Sequence, residues 1–190
     1  MRFRLILTIT LLLIFSACGS ARIGQKIALP EIAGISVTRD SSLQDNEVYL
    51  EQVGDARTSP VLMLRGSSEV TAEGSATQVV EQALKRVLSD KGFSVTEGAP
   101  IVIRAELVNW TAELSSGMAM RTVSSAAEIK LTILDPTNKA MYIGTYRGSS
   151  NVKNPKIEDA QVREALQISM SQALQQVAAD GKLLNLLTSF

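Results

Sequence analysis

Cys18 is the side chain best placed to do chemistry. It is the only thiol in the chain, and it follows the small residues Ser16 and Ala17 at the end of the apolar run Leu5–Phe15. A thiol at such a junction is positioned for thioether attachment to diacylglycerol. Other chemistries are narrowed by what is missing. The sequence has no histidine, which removes the commonest general base, the commonest metal ligand and every Ser-His or Cys-His arrangement. A zinc site of the usual kind loses both its histidine and its cysteine ligands once the single cysteine is taken. An enzyme is left with a carboxylate pair or a Ser-Lys dyad, and neither is assigned. The expectation is therefore no catalytic residue, no metal and no cofactor. Gly66 and Gly74 lie in a small-residue stretch, but they lack the spacing and the following lysine of a phosphate-binding loop.

The residues ahead of Cys18 have the layout of a secretory signal. Arg2 and Arg4 form a positive start, the apolar run follows, and small residues precede the cut. The run is shorter than the ~20 residues a helix needs to cross a bilayer. We read residues 1–17 as a cleaved lipoprotein signal peptide and residues 18–26 as the lipidated cysteine and a polar tether. The plainer alternative is an ordinary cleaved signal beside a stray cysteine. Several acyl chains on Cys18 would hold a domain durably, since each buried CH₂ contributes roughly 0.8 kcal/mol. Gly19 and Ser20 follow the cysteine in place of an aspartate that would resemble inner-membrane retention. The expected location is the outer membrane, facing the periplasm of a Gram-negative bacterium.

The elements that would position any site come from residues 27–190, read as one α+β domain: an antiparallel or mixed β-sheet with two amphipathic helices on one face. The 19 basic and 19 acidic residues balance. Loss of Arg2 and Arg4 with the signal leaves a slight acid excess, with no basic stripe for nucleic acid. Ile27–Leu29 and Ile35–Val37 are short β-prone pieces, and Val48–Val53 is a better strand. Asp55 and Arg57 read as a solvated turn pair, and residues 65–76 as a loop. Ser75 and Gln78 fit a capping box opening a helix over residues 77–91, with Gly92 as its stop. Asn154 and Pro155 predict the start of a second helix, striped by Val162, Ala165, Leu166, Ser169, Met170, Ala173, Leu174 and Val177 and ended by Gly181.

The stretch from Ile101 to Ser150 reads as a meander. Ile101, Ile103, Ala105 and Leu107 alternate inward, and then Val108, Trp110, Ala112 and Leu114 take the opposite phase. A strand changes face only with an extra residue or a twist, which predicts a β-bulge at Leu107–Asn109. Turns follow at Ser115–Gly117 and Asp135–Asn138. Arg104, Glu106, Glu128 and Lys130 are placed on a wet outer face as opposite-charge neighbours.

Two apolar concentrations are candidate partner contacts. One is the hairpin tip, with Trp110, Leu114, Met118, Met120 and Val123. The other is the C-terminal tail, with Leu184 and Leu187 among its leucines.

From Ser75 to Leu187 the chain resembles the YajG-type outer-membrane lipoproteins of proteobacteria. The resemblance rests on a helix ending in Lys91-Gly92-Phe93, the Ser115-Ser116-Gly117 turn, the strand Ala127-Glu128-Ile129-Lys130-Leu131-Thr132-Ile133, the Tyr146-Arg147-Gly148 stretch and a final amphipathic helix. It implies an envelope lipoprotein and supplies no active-site residues. Similar layouts occur in the lipoprotein of the lipopolysaccharide-assembly machine and in lipoproteins that activate penicillin-binding proteins. The leading expectation is a non-enzymatic adaptor or accessory subunit in envelope assembly, with the membrane reached through lipid on Cys18 and an envelope protein as partner. The second is a lipid- or glycan-binding module.

Overall fold

The computed structural model of the protein describes residues 23–43, 46–65, 68–117 and 119–189. The residues read as a signal segment, Cys18, the stretch read as a tether up to residue 22, Met118 and Phe190 lie outside the described residues. In chain order the elements are β1 (Lys26–Ala28), a 3-10 turn (Ser41–Leu43), β2 (Glu47–Leu50), β3 (Gly54–Asp55), β4 (Val61–Arg65) and β5 (Ser68–Glu73). There follow α1 (Ala76–Lys91), β6 (Ser94–Val95), β7 (Ile101–Ser116), β8 (Arg121–Leu134), β9 (Ala140–Asn154), α2 (Asp159–Ala179) and α3 (Gly181–Leu187).

Two sheets share the work. A six-stranded sheet runs β6-β2-β7-β8-β9, with β3 also pairing to β7, and a three-stranded sheet runs β1-β5-β4. The meander β7-β8-β9 is antiparallel throughout, while β2 and β3 join β7 in parallel. The fold is α+β, with mixed sheets.

The predicted bulge is present: Leu107 pairs with Ile129 and Asn109 with Glu128, so Val108 is the unpaired extra residue. It keeps both apolar phases of β7 on one face. Ile101, Ile103, Ala105 and Leu107 are buried on one side of it, and Trp110 and Ala112 on the other. β8 continues the same face with Val123, Ala127, Ile129, Leu131 and Ile133.

The first helix starts where its cap predicts. Ser75 Oγ accepts from Gln78 N at 3.3 Å. Gly92 stops the helix at φ 120°, with its N–H and that of Phe93 donating to Leu88 O; this left-handed region favours glycine. In α2 every residue of the predicted stripe is buried.

Several local expectations are corrected. Residues 65–76 hold strand β5 rather than a loop throughout, and no strand forms at Ile35–Val37. Asn154 does not cap α2: it pairs with Arg121 as the last residue of β9, and its Oδ1 accepts from Lys156 N at 3.1 Å. The cap is Glu158, in a reciprocal capping box with Gln161. Gly181 opens α3 instead of ending α2, because the Asp180 side chain caps the new helix through Lys182 N and Leu183 N.

A buried polar network fixes α2 on the sheet. The α2 carbonyls of Ala165 and Leu166 accept from Ser150 Oγ at 2.7 Å and Trp110 Nε1 at 3.1 Å. Ser169 Oγ donates to Leu166 O at 3.0 Å and sits 2.8 Å from Ser125 Oγ. Each is an otherwise costly buried polar group given a partner. On the opposite, wet face stand the ion pairs Glu51–Arg104, Glu106–Lys130 and Glu128–Arg147, each at 2.8 Å. The Glu106–Lys130 pair is the neighbour relation expected from the strand pattern. Arg104 and Glu128 pair instead with Glu51, just after β2, and with Arg147 of β9.

Candidate interaction surface

The structure redistributes the candidate contact residues. Trp110 is fully buried and its indole N–H is consumed by Leu166 O. It is a core residue, because the bulge turns it inward under α2. Val123 is likewise buried, Leu114 is half-buried against the core and Met120 is 44% exposed. Met118 lies outside the described residues. In the tail, Leu187 is fully buried and Leu184 is half-buried against the core, as the i, i+4 spacing of Leu183 and Leu187 turns that face of α3 inward. Leu187 therefore offers no surface to a partner. Of the residues singled out, Leu114, Met120 and Leu184 keep accessible area.

Leu114 belongs to a larger feature that sequence reading missed. The β4–β5 hairpin lies against the distal half of β7 and leaves an open groove of about 590 Å³. Buried Leu62, Met63 and Ala112 form its floor, half-buried Val61 and Leu114 its walls, and Ser59, Glu69 and Glu113 its polar rim. Its sequence signal is the apolar run Val61–Leu64, which the Pro60 before it and the Ser- and Gly-rich stretch after it obscured. The volume falls within the range of small-ligand clefts, but the rim is acidic and open.

Other polar clusters are structural in construction. Asp180 Oδ2 accepts from Tyr142 OH at 2.5 Å and Tyr146 OH at 2.8 Å, while Oδ1 accepts from two N–H groups of α3. Burial pushes the Asp180 carboxyl up, and these four donors together outweigh it and hold it below the usual carboxylate range. Burial, with the hydrogen bonds to Tyr142 and Asp180, drives the Tyr146 phenol far above its usual value. The cluster ties β9 to the α2–α3 corner.

Arg57 grips Asp55 through Nε at 2.8 Å and Nη2 at 2.7 Å. The pair is less solvated than expected: the Arg57 side chain is only 7% exposed. One S-x-x-K spacing does occur, from Ser150 to Lys153, but both lie on β9, where a three-residue step puts side chains on opposite faces. Ser150 points inward to Ala165 O and Lys153 is exposed, so they form no dyad.

No helix among the described residues is long and apolar enough to cross a membrane. Two solved structures share the fold at low identity, and a third is similar more loosely. A DUF330-family protein from Xanthomonas campestris superposes with a TM-score of 0.56 at 14% identity, covering 80% of this chain and 91% of that one. A candidate neuraminyllactose-binding hemagglutinin homolog from Helicobacter pylori gives 0.54 at 13% identity, covering 85% and 96%. A minor lipoprotein from Acinetobacter baumannii gives 0.48 at 14%, covering 74% and 94%. No curated protein matches the chain. The family model described as "Uncharacterized lipoprotein" matches residues 35–188, from before the 3-10 turn to the end of α3, and the chain belongs to that lipoprotein family.

Proposed function

We propose that this protein is a non-enzymatic accessory subunit in envelope assembly, a YajG-type lipoprotein carrying its lipid on Cys18. It is held on the outer membrane with its domain in the periplasm. The signal segment, the isolated cysteine and the absence of an inner-membrane retention aspartate support the location. The groove between the β4–β5 hairpin and β7 carries the functional reading. An apolar floor inside a polar rim is the anatomy of a protein contact, and Val61 and Leu114 are its accessible apolar walls.

In-cell photo-crosslinking from position 113 on the groove rim tests this. One discrete protein adduct is the expected result, and it identifies the partner. Lipid or glycan adducts alone make the protein a binding module of the kind that accompanies lipopolysaccharide transport or cell-wall synthases. An absence of adducts, together with an unchanged envelope phenotype in a folded Val61→Glu/Leu114→Glu variant, overturns the groove as a functional surface.

A further inference from the structure

Four residues, 19–22, separate the candidate lipid site Cys18 from Ile23, and the five Cα–Cα steps between them reach at most roughly 18 Å when extended. The point where the described chain begins therefore fixes which end of the domain faces the bilayer. Gly24 N donates to Asp159 Oδ1 at 2.9 Å, so the chain enters beside the first residue of α2. That helix runs back along β9, with Ser150 bonded to Ala165. From this shared level α2 extends roughly 9 Å to Asp159, and β9 extends about 13 Å to Asn154. Asn154 in turn pairs with Arg121, which pairs with Ser116 at the β7–β8 turn. The tether exit, the α2 start and the β7–β8 tip thus share one end of the molecule.

We propose that this tip is a membrane contact, in which Met120 enters the bilayer interface and Arg121 and Lys153 meet anionic lipid headgroups. The inference rests on the reading of Cys18 as the lipidated residue. Met120 is one of the few large apolar side chains left substantially exposed among the described residues. Arg121 and Lys153 stand on adjacent strands one register step apart, so they flank the tip from opposite faces of the sheet, and neither has an ion-pair partner among the described residues. Lys156 is held by Glu158 at 2.6 Å and adds little, and the acid Asp159 at the α2 start is engaged by Gly24 N. Glu113 lies about 10 Å behind Ser116 along β7, set back from the tip. An apolar residue flanked by unpaired cations is complementary to an anionic interface, and the anchor supplies the proximity that so small a contact requires.

The test uses the full lipidated chain in phosphatidylethanolamine–phosphatidylglycerol vesicles. An environment-sensitive fluorophore is attached through Met120→Cys or, at the opposite end of the meander, through Lys139→Cys. Intact mass reports acylation at Cys18. The expected result is quenching of the position-120 probe by headgroup-level lipid quenchers and none at position 139. Arg121→Glu and Lys153→Glu should each weaken the contact by roughly fivefold, in a salt-dependent way. Equal, weak quenching at both positions on an acylated, vesicle-bound protein overturns the tip contact and leaves the anchor intact. Quenching at position 120 that is insensitive to both charge reversals and to salt overturns the headgroup assignment. A chain without acyl mass removes the anchor and the proposal together.

Discussion

Gly148 of β9 lies directly under the carbonyl of Ser169 in α2. A β-carbon at position 148 would run into that oxygen and stand 2.8 Å from Ala173 N. The neighbours are backbone atoms of a helix held to the sheet by the Ser150, Trp110 and Ser169 hydrogen bonds, so they cannot move aside singly. Gly148→Ala should therefore lower stability by about 3 kcal/mol. Urea unfolding checks this, and an unchanged midpoint would contradict the close approach.

Trp110 is the only tryptophan, so it doubles as a probe. Its burial predicts blue-shifted emission that moves red on unfolding. Trp110→Phe keeps most of the apolar volume and removes the indole hydrogen bond while Leu166 O keeps Ser169 Oγ as a donor, at a cost of about 1 kcal/mol. Trp110→Ala adds a cavity and should cost about 3–5 kcal/mol. Denaturation followed by circular dichroism separates the two.

Asp180 makes stability depend on acid. Its folded carboxyl sits below its ordinary value, because the hydroxyls of Tyr142 and Tyr146 and the α3 N–H groups outweigh burial. The stabilisation is complete above the unfolded value of about 3.9, and it fades as pH falls through the depressed folded value. Asp180→Asn should lower stability at neutral pH and flatten the acid limb. Asp55, Glu128 and Asp135 are also depressed, through hydrogen bonds to Arg57, Arg147 and Thr137 respectively, so part of the limb remains. Melting temperatures across pH 2–7 read both effects.

What the chain disclosed before folding was what depends on neighbours in sequence. The phase slip at Val108 is visible in a period-two pattern, and the Ser75 cap and Gly92 stop are local chemistry. Asn154-Pro155 misled because the same dipeptide suits a helix start and a strand end. Pairing of β9 with β8 through Asn154 decided between them, and that information resides in residues 121–124. The groove was hidden for a related reason. β4 meets β7 only through tertiary packing, and nothing in Val61–Leu64 names Thr111–Leu114 as its neighbours. Trp110 belongs to the core and not to the tip because α2 covers the strand at that point, which a count of residues from the turn does not reveal.

The open edge of β9 is guarded by glutamines. Gln176 of α2 accepts from Arg147 N at 3.3 Å and donates to Arg147 O at 2.8 Å, standing where a further strand would pair, and Gln172 accepts from Ser149 N at 3.1 Å. An unpaired edge is a template for association with another chain, so these amides work against edge-to-edge pairing as well as for stability. Gln172→Ala/Gln176→Ala should cost only about 1–2 kcal/mol, since water can replace exposed partners. It should nevertheless speed amide exchange at Arg147 and Ser149 and increase concentration-dependent association. Hydrogen exchange at those two amides, with light scattering on the same samples, distinguishes an edge guard from a simple stabilising contact. Faster exchange without added association would leave the glutamines with a purely stabilising role.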